Sequence, residues 1–371
     1  PLVSQVRELT VDPDSGHVQA LRSVDGVDET LRAPLPAVIS VTDQLNEPRF
    51  PGFKDLKAAR MKPLVQAELD DVAGYDPTGC LSELVSGARS EMPLGVVSMT
   101  EHNRGGSGEV FTDTGDGGTR LAEFLEEKMS TCLKDAIVVI DCSDTASLGS
   151  RYRDMIAQAH ECAEAVHAIV VSQEERESLR EELGRLGVSS CVFLQVNESV
   201  LTASALSPAL ASAYSRFGNP QAPVLFASRF LDRECAASLA ITLGGCAIAE
   251  ALALRVEDGH LCATTDALGG TWCAEIATHS APACVCVRSR GLEVAAEENE
   301  CVELASEVVE PDPTRTLVVE RVEASSDGRP SVTDAQVVVV GGRGAGNDWS
   351  LVEDLADVLG AGIGATRDAV D

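Results

Sequence analysis

Aromatic side chains and positive charge are both scarce in this chain. Phe, Trp and Tyr together supply 4% of its 371 residues, so any core it builds is aliphatic. Lys and Arg number 29 against 59 Asp and Glu, a formal net charge of −30 at pH 7. A surface that negative repels nucleic acid and anionic membrane, which excludes both as general partners. No run of 18 apolar residues is present, and the first residues show neither the basic nor the apolar region of an export signal. The chain therefore reads as cytoplasmic, with no membrane insertion. The 12 cysteines form no C-x-x-C pair and the six histidines stand apart, so neither a metal site nor a catalytic residue grouping is expected. Cys284 and Cys286 alternate along one expected strand and point the same way, either as buried thiols or as a redox pair.

Aliphatic residues, in contrast, are plentiful. At 44% hydrophobic and 371 residues, the chain can fill the cores of two or three domains. Strands are expected over residues 2–11, 18–22 and 37–41, and again over 136–140, 168–171, 191–194 and 224–227. Helical stretches near 151–165, 174–186 and 232–243 alternate with the second set, which gives βαβ units and a mostly parallel sheet. An internal repeat links the two regions. The blocks GHVQA (16–20) and PAVISV (36–41) return in the same order as GHLCA (259–263) and PACVCV (282–287), each behind an apolar strand. Two copies of one domain are therefore expected, the first lacking the α/β front half that the second keeps. A chain that opens at Pro1 directly in an apolar strand reads as a fragment.

Near the other end, VVVVGGRGAGNDWSLVEDLADVLG reads as strand, glycine turn and helix. Four valines at 337–340 suit a strand buried on both faces. Leu351, Val352, Leu355, Val358 and Leu359 share one helical face, Ser350 with Glu353 suggests a capping box, and Gly360 suits the C-terminal cap. Backbone N–H groups of 341–346 and the positive end of the helix dipole would face one ligand, with Arg343 as an anion donor. Asn347 stands where the third glycine of G-x-G-x-x-G would fall, so the turn reads either as a phosphate cradle or as a bare packing turn.

Residues 42–63, TDQLNEPRFPGFKDLKAARMKP, break the acidic pattern. Pro48 and Pro51 interrupt regular structure, Phe50 and Phe53 stand between them and beyond, and Arg49, Lys54, Lys57, Arg60 and Lys62 form the basic island of the chain. The segment is either a loop and short helix with a solvated basic face or a presented docking element. Residues 70–120, rich in Gly, Ser and Asp, fit an arm that wraps another domain.

These pieces resemble the electron-transfer flavoprotein family, with a beta-type part fused ahead of an alpha-type part. LNEPRFPGFKDLKAARMKP is similar to the beta subunit's signature and recognition loop. VVVVGGRG followed by DLADVLGAGIGATRDAVD is similar to the opening of the alpha subunit's flavin-binding domain, and 135–309, with its ALGGTW stretch, to that subunit's first domain. The resemblance implies an α/β fold class. It comprises two related Rossmann-like, adenine-nucleotide-hydrolase-like α/β domains, the first truncated, and the start of a flavin-binding doubly wound α/β domain. In these terms 1–69 is the C-terminal half of the beta-type domain with the recognition loop at 46–63, and 70–134 its C-terminal arm and joint. The alpha-type α/β domain follows at 135–310, then a linker at 311–336 and the start of the FAD-binding domain at 337–371.

The implied function is electron carriage, not enzyme catalysis. FAD takes electrons from acyl-CoA or other dehydrogenases, as in fatty-acid oxidation, and passes them to a quinone oxidoreductase or other acceptor. AMP or a second FAD belongs to the beta-type front half, absent here. By resemblance Gly342, Arg343, Gly344, Thr366 and Arg367 contact FAD, and Phe50, Phe53 and Leu56 dock partners, Phe53 standing where the family presents an aliphatic anchor. With both nucleotide sites cut open, weak FAD retention is expected. A nicotinamide-dependent oxidoreductase and a non-redox adenine-nucleotide-binding protein are the alternative readings. If the repeat is real, residues 1–41 take the same strand order as 246–287.

Overall fold

A computed structural model describes residues 1–47, 49–64, 66, 94–101, 118, 132–143, 148–174, 177–279, 282–292, 299–323, 328–330, 332, 335, 337–346, 348–366 and 369. Most of the arm and joint expected over 70–134 lies outside the described residues. The chain divides into two compact units, one of Pro1–Asp25 with Glu29–Arg321 and one of Gly26–Asp28 with Val322–Asp371.

The first unit opens with β1 (Leu2–Asp12), β2 (His17–Val24), β3 (Val27–Pro34) and β4 (Val38–Val41), then a seven-residue helix α1 (Phe53–Ala59) and β5 (Leu94–Glu101). An alternating series follows: β6 (Leu133–Cys142), α2 (Ser150–Cys162), β7 (Ala163–Ser172), α3 (Glu177–Arg185), β8 (Val188–Gln195), α4 (Ala203–Arg216), β9 (Val224–Ala227) and α5 (Phe230–Leu243). It closes with β10 (Cys246–Glu257), β11 (His260–Ala267), β12 (Trp272–Thr278), β13 (Ala283–Val287), β14 (Val302–Val308) and β15 (Leu317–Glu323). The first helix of the series stops at Cys162, short of its expected end at 165, and Ala163 enters β7 with no intervening loop.

Ten strands form one sheet in the order β14-β8-β7-β6-β9-β13-β10-β11-β12-β5. Pairing is parallel from β14 through β10 and antiparallel from β10 to β5. The central strands are apolar without alternation because both faces are covered. Ala136, Val138 and Ile140 face one core with α2 and α3, while Ile137 and Val139 face a second core with α4 and α5. Cys284 and Cys286 both lie on the second face as buried free thiols.

The repeat is visible strand by strand. The smaller sheet runs β15-β3-β2-β1-β4, and within it β3-β2-β1-β4 reproduces β12-β11-β10-β13. β1 pairs β2 antiparallel and β4 parallel, as β10 pairs β11 and β13. Even the irregularity is shared. A bulge places Arg7 between Val6 and Glu8, as Leu252 falls between Ala251 and Ala253, and the left-handed residues Gln5 and Glu250 both have φ 58°. Each copy's outer antiparallel strand is covered by a strand from elsewhere: β5 lies on β12, and β15, within the stretch expected as linker, lies on β3.

A buried ionic cluster joins the copies. Arg22 on β2, 2% exposed, donates through Nε to Glu29 (2.8 Å) and through Nη1 to Glu234 of α5 (3.1 Å), and its guanidinium lies 5.0 Å from the centre of the Phe230 ring. Ser4 also donates to Glu234. Three groups from two elements hold one desolvated cation, an arrangement costly to break by removing a single member. Arg22→Ala should lower the unfolding free energy by about 3 kcal/mol or more in urea titration, whereas a loss below about 1 kcal/mol would show that water already reaches the pair.

Candidate functional site

The second unit contains β16 (Val338–Gly341), a 3-10 turn over Arg343–Ala345, α6 (Ser350–Leu359) and β17 (Gly362–Ala365), with β16 and β17 parallel. Strand, turn and helix thus form where sequence placed them, and Gly360 ends α6 at φ 59°. Two expectations need correction. Val337 and Val340 are exposed, because β17 covers one edge and α6 packs too little of the surface to bury both faces. Ser350 is the first helical residue, not the cap: its N–H and hydroxyl both donate to Asp348 Oδ1, at 3.1 and 2.7 Å, and these bonds hold the Asp348 carboxyl below the usual range. The positive end of α6 therefore already has an anion supplied by the chain.

The open part of the turn lies beside it. Thr366 N–H donates to Gly341 O (2.9 Å), tying the carboxyl ends of β16 and β17 together, and a Cβ on Gly342 would sit 3.9 Å from the Thr366 side chain. Arg343 and Gly344 are exposed, and nothing lies within 4 Å of a Cβ built on Gly344. Gly341 is different, since a Cβ there would fall 2.5 Å from the Trp349 ring, so this glycine serves packing. Gly342, Arg343, Gly344 and Thr366 are thus brought together at the strand carboxyl ends, where open α/β sheets bind ligands. Arg367 lies outside the described residues.

The basic island forms α1, capped by Gly52 N–H donating to Asp55 Oδ2 (3.2 Å). No residue of α1 is buried. Phe50, three residues ahead of the helix, is 100% exposed, and on the helix Phe53 is 84% and Leu56 49% exposed.

Sequence reading missed a third cluster, at the carboxyl ends of β6 and β9. Asp141 Oδ1 accepts from Ser143 N (3.0 Å) and Oγ (2.6 Å), and Arg229 Nη1 donates to Asp141 Oδ2 (3.0 Å) and the Tyr152 hydroxyl (3.3 Å). Asp232 is 4% exposed; burial, then the Asp141 charge, push its carboxyl up to about 8. Burial and the same carboxylates also raise Tyr152. The available signal was a single charged residue closing each apolar strand, Asp141 after IVVI and Arg229 just past VLFA. A cavity of about 280 Å³, lined in part by Asp135, Asn219, His260 and His279, lies at the opposite, amino ends of these strands. Among the described residues no helix is long and apolar enough to cross a membrane, and no cluster of three or more His, Cys, Asp or Glu could hold a metal.

Comparison with known proteins adds the following. A model of the electron transfer flavoprotein domain matches residues 138–327, and one of the electron transfer flavoprotein FAD-binding domain matches 331–371. The alpha subunit of Mycobacterium leprae is 35% identical over 164 residues, 41% of this chain and 52% of that protein. The beta subunit of Mycobacterium tuberculosis strain H37Rv is 33% identical over 125 residues, 34% of this chain and 43% of that protein. The alpha subunit of Syntrophomonas wolfei is 30% identical over 231 residues, 59% and 69% respectively. The chain spans about half the length of the first two of these relatives.

Asp232 also sets a pH dependence. Its folded value lies above the unfolded 3.8, so between about 4 and 8 the folded state holds a proton the unfolded state has lost, and stability contributed at this site falls as pH rises through that window. Asp232→Asn should gain stability relative to the parent between pH 5 and 8 in paired urea titrations. A difference that stays flat across that range would show the carboxyl to be ionised in the fold.

Proposed function

The chain belongs to the electron transfer flavoprotein family, and on that premise we propose that its beta-like part, residues 1–134, and alpha-like part, residues 135–371, act together as an electron carrier that uses FAD. The reading is carried by one observation: Gly342, Arg343, Gly344 and Thr366 share the open carboxyl edge of β16 and β17, within the stretch that matches an FAD-binding domain.

The residues present fit such a group. Gly344 leaves room for a ligand to approach the backbone, Arg343 offers a guanidinium to a phosphate, and Thr366 offers a hydroxyl beside Gly342. Asp348 already fills the start of α6, so these turn residues and not the helix terminus would carry the anion contacts. FAD, when bound, supplies the electron-accepting ring. By resemblance to the family, Arg367, the next residue in sequence after Thr366, would offer the ring a permanent positive charge as it takes up electrons.

Electrons would come from acyl-CoA or other dehydrogenases and leave to a quinone oxidoreductase or another acceptor. Phe50, Phe53 and Leu56 are the docking residues in this reading, with Arg49, Lys54, Lys57 and Arg60 steering acidic partners. A rigid aromatic on an otherwise uncovered helix suits an anchor. In the complete protein Phe53→Ala should weaken docking by about 2 kcal/mol, roughly thirtyfold in electron uptake at sub-saturating dehydrogenase, with flavin content unchanged. Unchanged uptake would remove α1 from the docking surface. Arg367→Gln should shift the flavin potential to lower values in a spectroelectrochemical titration; an unmoved potential would place the guanidinium away from the ring.

A further inference from the structure

The ten-stranded sheet reverses its strand order at β6. From β6 the chain steps to β7 and β8 on one side, then returns through α4 to β9 on the other. The crevice outside the carboxyl ends at such a reversal is where open α/β sheets take ligands, commonly with a phosphate at the N-terminus of the helix that follows. Here that helix is α5. Its N-cap, Arg229, offers no side-chain acceptor. The acceptor comes instead from the other copy: Asp25, in the turn between β2 and β3, takes a 2.8 Å hydrogen bond from the Phe230 N–H through Oδ2.

Other observations point the same way. Asp232, in the same first turn and 4% exposed, leaves Oδ2 without a hydrogen-bond partner, and the Oγ of the adjacent Ser228 is also buried without one. Among the described residues, therefore, the Ser228 hydroxyl and the protonated Asp232 carboxyl are left unpaired at the crevice, and each can donate. Arg229 supplies a cation at its mouth through the Asp141 pair. Leu268 stands at the corresponding position of the second copy with the same φ of 50° and a following glycine at positive φ, in a turn two residues longer, and carries no carboxylate there. A left-handed Asp costs backbone energy that Gly would not, and the bond to α5 offsets it.

We propose that the crevice of the second copy is an anion site of the phosphate class and that Asp25 occupies it as an intramolecular ligand. The contact docks one copy on the other and excludes phosphate-bearing nucleotides from this copy.

Amide hydrogen exchange of the chain tests this in the parent, Asp25→Gly and Asp25→Asn, with and without millimolar inorganic phosphate. Glycine preserves the positive-φ turn, and β6 amides report any global change. Exchange at Phe230 should accelerate about tenfold in Asp25→Gly, phosphate should restore its protection there, and phosphate should leave the parent unchanged. Equal protection of Phe230 in parent and Asp25→Gly overturns the assignment of Asp25. Loss of protection that phosphate does not restore overturns the anion site and leaves a simple helix cap. Should β6 also lose protection in Asp25→Gly, the decision passes to Asp25→Asn, which keeps an acceptor oxygen without the charge. Phosphate must then protect Phe230 beyond its level in Asp25→Asn alone, and its failure to do so overturns the proposal.

Discussion

An exposed sheet edge is a row of unpaired backbone donors and acceptors, and covering such edges is the constraint from which the first unit follows. Each copy ends its antiparallel side in a strand, β3 or β12, that needs a neighbour. Neither copy supplies its own. β5, after the first copy, completes the sheet of the second, and β15, after the second, lies beside β3 of the first. The exchange joins the copies through backbone bonding, and Arg22 with Glu29 and Glu234 adds a side-chain link between them.

Charge distinguishes the helix α1 region from the glycine turn, the two places with a proposed role. The chain as a whole is strongly acidic, so a partner approaching at random meets repulsion unless it carries positive charge. The island around α1 reverses that sign locally and sets two exposed aromatic rings among its cations. Positive charge and exposed apolar side chains are thus gathered in one short segment around α1. The glycine turn of the second unit has the opposite character, with little side-chain bulk and a single guanidinium in a cradle of backbone.

Much of this was legible in the sequence because it rests on local pattern. The glycine turn, α6 with its Gly360 cap, the αβ alternation and the repeat were all visible as spacing. The strand β3 was not, since VDETLRAP alternates charged and apolar residues too weakly to stand out. The capping box failed because Ser350 and Asp348 compete for the same role, and the choice depends on where the 3-10 turn releases the chain. The cluster of Asp141, Tyr152, Arg229 and Asp232 was hidden for a different reason. Its members are separated by long stretches of sequence, and only the return of β9 beside β6 brings them together. Docking on α1 was suggested by composition, but its complete exposure is a property of the fold.

The shared bulge in β1 and β10 bears on history. Around it the two copies have drifted: Arg7 faces Leu252 in the alignment, Val6 faces Ala251, and Arg22 faces Thr265. Yet a non-glycine residue stands at φ 58° in both, a conformation that selection removes easily when nothing depends on it. The bulge therefore predates the divergence of the copies. A bend inherited by both halves sets the angle at which each parallel core turns into its antiparallel edge, and so the angle at which one strand can be traded for another. The same bend thus stands in both halves at the place where each parallel core gives way to its antiparallel edge.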